Sequence, residues 1–391
     1  MFESLNELVL SAIVLLASGI LCVIVGKRVS VHPLLTAILF VWHTALGTYY
    51  SSFVLSHGGD PLEYYMRARF DFVQPTLGTD FIVWITSIPV GFGLPYWPTS
   101  YVYNAIGGLA LTIFAAALQE TGARLFHRDF GSVLFASFLF IPSLSFWTSG
   151  IGKDAVAFLA VALFLWSTVR MNERKTAAAA AVLIMLPVRP HIAGLMLIAI
   201  LAGILMAPNI RATARLIMTI AASTAVGFAV PLALIYAGTG SFGSIAEYVS
   251  DRQTKNMSGG SSLDITGMNP AMRLFTFLYR PLPNEAAAPE QFAASIENVL
   301  LMLVTAFGII VIYRAGIVRV LRRYGTAATY GVLCILLLSQ IIANLGLATR
   351  QKWMGLPALL FLVLGAWQIL SEKKSRGSRP PFDHFADVAG V

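Results

Sequence analysis

The chain has little charge and almost no cysteine. Only 12% of its 391 residues are Asp, Glu, Lys or Arg, about half the share in a soluble globular domain, which excludes an ordinary water-exposed fold. Cys22 and Cys334 are the only cysteines and both lie within apolar runs, so a disulfide framework is not expected. There is no DxD or DDxxD pair and no His/Cys cluster with metal spacing, so neither a metal nor another cofactor is expected. A complete GxxxxGK[ST] loop is also missing, which argues against nucleotide hydrolysis. No internal repeat or low-complexity tract interrupts the chain.

What the chain has in abundance is apolar residues: 57% of the total, with a mean hydropathy of +0.75. Continuous apolar runs fall near residues 8–26, 34–55, 99–118, 130–148, 154–170, 176–188, 191–207, 213–236, 294–313, 325–347 and 353–371. At roughly 20 apolar residues per crossing, these define an all-α polytopic integral membrane protein of about eleven transmembrane helices. The continuity of the runs argues against a transmembrane barrel, whose strands alternate. Residues 81–94 are short and rich in Gly and Pro and are expected to be re-entrant or interfacial. The run at 8–26 is followed by its charges rather than preceded by them, so it reads as a retained first helix, not a cleaved signal.

The Lys and Arg residues set the orientation, because short cytoplasmic loops carry their excess. An outside N-terminus places Lys27-Arg28, Arg124 and Arg128, Arg170 with Arg174-Lys175, Arg211 and Arg215, and Arg314 through Arg323 inside. A single transmembrane domain then covers 1–372, with extracytoplasmic loops at about 56–98 and 237–293 and a cytoplasmic tail at 373–391. SGGSS at 258–262 reads as a flexible tip of the second loop. The net charge of +8 and pI near 9.6 express this membrane orientation and give no support to nucleic-acid binding.

Several polar clusters interrupt the outer side. In the first loop, Asp60, Tyr64 and Arg67 recur on one face if Pro61 opens a short helix capped by Asp60, and Arg69 follows. Carboxylate, phenol and guanidinium suit a sugar or phosphate, although an interfacial helix anchored by its tyrosines would read the same way. Lys153 and Asp154 stand at the mouth of a helix after a glycine turn, a setting that favours an anion. The alternative is that Asp154 caps the helix while Lys153 snorkels. Arg189-Pro190-His191 breaks the longest apolar stretch, and a proline break exposes backbone groups to a cavity. Arg189 is suited to bidentate phosphate binding and His191 to proton transfer, with snorkelling and a carbonyl bond as the structural alternatives. In the second loop Arg273, Arg280 and Glu285 lie in a proline-stiffened segment, and Arg350 stands on the outer side against the usual charge bias.

The segments GDPLEYY (59–65), GTDF (78–81), PSLSFWTSGIGKDA (142–155), VRPHIA (188–193) and LFTFLYRPLPNEA (274–286) resemble bacterial exopolysaccharide-cluster membrane proteins. Those are similar to Wzy-type repeat-unit polymerases and, more distantly, to GT-C glycosyltransferases. The resemblance spans about residues 40–355 in the order and character of its motifs. It implies transfer of a glycan from an undecaprenyl-diphosphate donor to a sugar hydroxyl at the outer face of a bacterial inner membrane. On that resemblance Arg189, Arg280, Arg350 and Lys153 would hold the diphosphate, and Asp60, His191 and Glu285 are candidates for the base. Implied partners are the lipid-linked oligosaccharide, membrane lipid, a chain-length regulator and a flippase. A GT-C enzyme using a polyprenyl-phosphate sugar and a lipid-linked glycan transporter are the competing readings.

Overall fold

Helices account for the architecture throughout. The computed structural model describes residues 4–123, 129–206, 211–237, 253, 262–265, 267–286 and 288–377. Among them there is no β-strand, only one isolated bridge between Ser262 and Asn344. In chain order the helices are α1 (Leu5–Arg28), α2 (Pro33–His57), α3 (Asp60–Phe70), α4 (Thr79–Gly91), α5 (Tyr96–Gln119), α6 (Phe130–Leu139), α7 (Pro142–Trp147), α8 (Lys153–Val169), α9 (Lys175–Val188), α10 (Pro190–Met206) and α11 (Ala212–Ala237). After the second long connection come α12 (Pro270–Tyr279), α13 (Pro289–Ala315), α14 (Ile317–Ile341), α15 (Leu345–Gln351) and α16 (Leu356–Gly377). The flexible tip expected at 258–261 and the tail beyond 377 lie outside the described residues, as do Arg124 and Arg128.

Among the described residues seven stretches are long and apolar enough to cross a membrane: α1, α2, α5, the α6–α7 stretch Phe130–Trp147, α13, α14 and Leu356–Lys373 of α16. The remaining expected spans are helical too, at α8, α9, α10 and α11, but α8, α9 and α10 have 17, 14 and 17 residues. The 130–148 run is divided by Pro142, which opens α7 and cannot continue the hydrogen-bond ladder of α6. At 13 residues α4 reaches only about 20 Å, less than a hydrocarbon core.

α5 and α8 form the centre, with nearly every residue of α5 from Tyr96 to Leu118 buried. α1 and α2 cover one side of this pair, α9 covers α8, and α10 joins the unit to α11 and α14. α13 and α14 pack on α16. Close approach rests on missing side chains: a Cβ on Gly150 would stand 2.4 Å from the Tyr50 ring, so only glycine lets α2 lie against the turn before α8. The consequence for function is geometric, because the first residues of α3, α4 and α8 and the α9–α10 junction come together at one end of this core.

Candidate functional site

α3 begins after Gly58 and Gly59, at φ 77° and 129°, values open to glycine and strained for other residues. The N-cap is Gly59 and Asp60 is the first helical residue, so the expected capping by Asp60 does not occur. Its carboxylate is turned to another partner: Asp60 Oδ2 accepts from Arg350 Nη1 at 2.7 Å. Asp154, likewise, does not cap α8, whose N-cap is Gly152. Asp154 accepts from Arg189 Nη2 at 2.9 Å through Oδ1 and from Arg350 Nε through Oδ2. One connected chain of charge therefore runs Asp60, Arg350, Asp154, Arg189.

The break that delivers Arg189 follows from Pro190. A residue before proline is pushed out of the helical region, and Arg189 sits at φ −147°, ψ 79° as the C-cap of α9. Its own carbonyl then accepts from Ile192 and Ala193 at the start of α10. Termination of α9 leaves late carbonyls without helical donors. That of Pro187 is taken by the Gly78 N–H at 2.7 Å, which ties the connection ahead of α4 to the break.

Lys153 donates from Nζ to Thr79 Oγ1 at 2.7 Å, joining α8 to α4. The same threonine engages the buried Tyr64 phenol, which burial and the neighbouring Asp60 carboxylate push up to about 12. Side-chain exposure separates the members of the cluster: Asp154 is 4% exposed and Arg189 9%, whereas Asp60 is 47% exposed. The inner part is a desolvated ion network and Asp60 is its face toward solvent.

The other expected residues lie around this centre with different partners. Arg67 pairs with Asp80 at 2.7 Å, closing α3 onto α4, and Arg69 is exposed over the Phe70 ring. Arg273 Nε donates to the carbonyls of Ile265 and Met268 and so fixes the approach to α12. Arg280 and Glu285 face each other, with Nη2 to Oε1 at 2.7 Å and Nε to both carboxylate oxygens. Glu285 also accepts from the Leu282 N–H, and the Arg280 bond holds its carboxyl below the usual glutamate range. His191 is half-buried one residue beyond Pro190.

A second buried polar group surrounds Lys352, which the sequence places beside Arg350 on the outer side. Lys352, in the turn between α15 and α16, is buried and donates to Asn298 Oδ1 at 2.6 Å. Asn298 Nδ2 donates to the Pro281 carbonyl at 3.1 Å, which braces the Arg280 loop against α13. Beside it Glu297 accepts from the Ser143 N–H and hydroxyl, and Trp353 Nε1 donates to that hydroxyl at 3.0 Å. The signal was present, since Glu297 and Asn298 stand in an otherwise apolar run, where polar groups need partners.

Among the described residues no group of three or more His, Cys, Asp or Glu side chains is placed to hold a metal. The arrangement suits an anion instead. Asp60, Thr79, Lys153 and Pro190 are the first residues of four helices, and helix N-termini carry partial positive charge. Comparisons with protein-family models, with curated proteins and with solved structures find no match for this chain.

Proposed function

We propose that the protein is a membrane glycan polymerase, moving a glycan from a polyprenyl-diphosphate donor to a sugar hydroxyl at the outer face of a bacterial inner membrane. The observation that carries the reading is the convergence of four helix N-termini on Arg189, Arg350 and Lys153, with the half-exposed Asp60 at its edge. The cations and helix ends bind the diphosphate and stabilise the charge that builds as it leaves. Asp60 takes the proton of the acceptor hydroxyl, whose oxygen bonds to the donor's anomeric carbon as the carbon–oxygen bond to diphosphate breaks. Asp60 is favoured over Glu285 because Glu285 is engaged twice by Arg280, whereas one face of Asp60 remains open.

In the same reading α8, α9, α10 and α11 cross the membrane with the seven longer apolar stretches, giving eleven spans, an outside N-terminus and a cytoplasmic tail. α3, α4 and the 237–293 connection lie outside, with α4 dipping into the interface. Arg67, Arg69, Arg273 and Tyr64 line or brace the approach, and His191 stands beside the break as an alternative proton acceptor. Membrane lipid surrounds the site, and a flippase and chain-length regulator supply the donor and limit the product.

The test is extension by the purified full chain of lipid-linked repeat units. Longer glycans should form without nucleotide sugar, and Asp60→Asn should stop them. A strict need for nucleotide sugar, or transfer of one sugar from a polyprenyl monophosphate, overturns the proposal. In cells, a polymerase variant leaves single lipid-linked units facing outward, whereas a transporter variant leaves them facing the cytoplasm.

A further inference from the structure

The turn between α13 and α14 is a single glycine, Gly316 at φ 92°, so two membrane-length helices meet at one membrane face. This face is at the far end of α14 from Arg350, since 25 helical residues span about 37 Å. An open cavity of about 760 Å³ lies there, lined in part by Arg314, Arg319 and Arg322. All three are exposed, and among the described residues none has a carboxylate partner. By contrast Arg170 and Arg174 share Glu120, and Arg323, next to Arg322, reaches Glu372.

The local helix explains how the cations are presented. Tyr324 has non-helical backbone angles, which separates the 317–323 turn from the rest of α14. Within that turn Val320 is buried, while Ile317 and Val318 are exposed beside the arginines. At 100° per residue the exposed apolar positions and the arginines occupy adjacent sectors, the pattern of a helix lying in the interface. Charge bias accounts for arginines at a membrane edge. It does not account for three unneutralised guanidiniums around one cavity that continues into an apolar surface.

We infer that this cavity binds the phosphate of an anionic membrane phospholipid, with Arg314, Arg319 and Arg322 on the headgroup and Ile317 and Val318 along the acyl chains. Guanidinium forks match phosphate oxygens, and basic pockets between membrane helices hold such headgroups. The site is independent of the transfer chemistry proposed at Arg350.

The experiment is native mass spectrometry of the full chain in detergent, titrated with phosphatidylglycerol or with phosphatidylcholine of the same chains. Wild type should retain phosphatidylglycerol preferentially, and the triple variant R314Q/R319Q/R322Q should bind it about a hundredfold more weakly. The lysine triple variant R314K/R319K/R322K, which keeps the charge, should retain most of the preference and controls for folding. Inorganic phosphate at millimolar concentration should not displace the lipid, because it lacks the apolar half. Equal retention of the two lipids, undiminished binding by the glutamine variant, or displacement by inorganic phosphate alone overturns the assignment.

Discussion

Asp60 and Asp154 are held by one guanidinium, that of Arg350, although Asp60 and Arg350 are separated by 290 positions in sequence. The two carboxylates differ in exposure, 47% against 4%, and the difference divides their roles. A buried carboxylate between two arginines is a structural counter-ion, whereas a half-exposed one is available to a substrate.

Replacing Asp154 by Asn leaves Arg189 and Arg350 buried with less counter-charge, and breaking such a pair costs about 3–5 kcal/mol. Asp60→Asn should cost about 1 kcal/mol or less, because its carboxylate is partly in water. Thermal unfolding in detergent should separate the two, with a large fall in Tm for D154N and a small one for D60N. Glycan extension should nonetheless be lost in D60N. Equal falls in Tm would make Asp60 a structural residue.

Pro190→Ala removes the restriction on Arg189 and lets α9 and α10 join through helical angles at that residue. Arg189 should then leave Asp154. The expected result is a loss of stability and extension close to that of Arg189→Met, and a double variant no worse than either, since both act on one ion pair. Additive losses would show that Pro190 acts by another route.

The Arg280–Glu285 contact gives a pH dependence of definite sign. The carboxyl is depressed in the folded protein, so its contribution is present above the ordinary glutamate pKa and is lost as pH falls through the lower folded value. Limited proteolysis of the 267–286 segment should therefore stay slow through the ordinary carboxylate range and accelerate only below it. Arg280→Met removes the clamp at every pH, so cleavage should be faster near neutrality and this onset should be lost. An unchanged onset would mean the clamp does not hold the loop.

Lys352 behaves in the opposite range. Burial pushes its ammonium down to about 8 from the usual 10.5. Between those values the unfolded chain binds more protons than the folded one, so stability from this group rises as pH rises. Tm of wild type minus that of Lys352→Met should increase from pH 8 to pH 10. A constant difference would show that the lysine is not desolvated in the folded protein.

What could be read from the sequence was what local chemistry dictates. The break at Arg189 was legible because proline constrains its neighbour directly, and α1, α2 and α5 because their apolar runs are long. The division of 130–148 follows from the same proline rule applied at Pro142, which the unbroken apolar character of the run masks. Asp60 as a helix cap was a local expectation that a long-range partner overrode, because Arg350 supplies a full charge and the backbone only a dipole. The pairing of Lys352 with Asn298 is not legible for the same reason: each looks costly until its partner from a distant segment is in place.

The bond from the Gly78 amide to the Pro187 carbonyl joins two backbones and no side chains. Alanine substitution of the charged side chains around Arg189 would not report on this tether. Replacing the amide at position 78 by an ester, which deletes the donor and keeps the side chains, is the perturbation that would expose it. Gly78 holds its amide there at φ 85°, a backbone conformation open to glycine and strained for other residues. The connection between the first loop and the broken helix is thus written in main-chain geometry, at a position that glycine's conformational freedom makes possible.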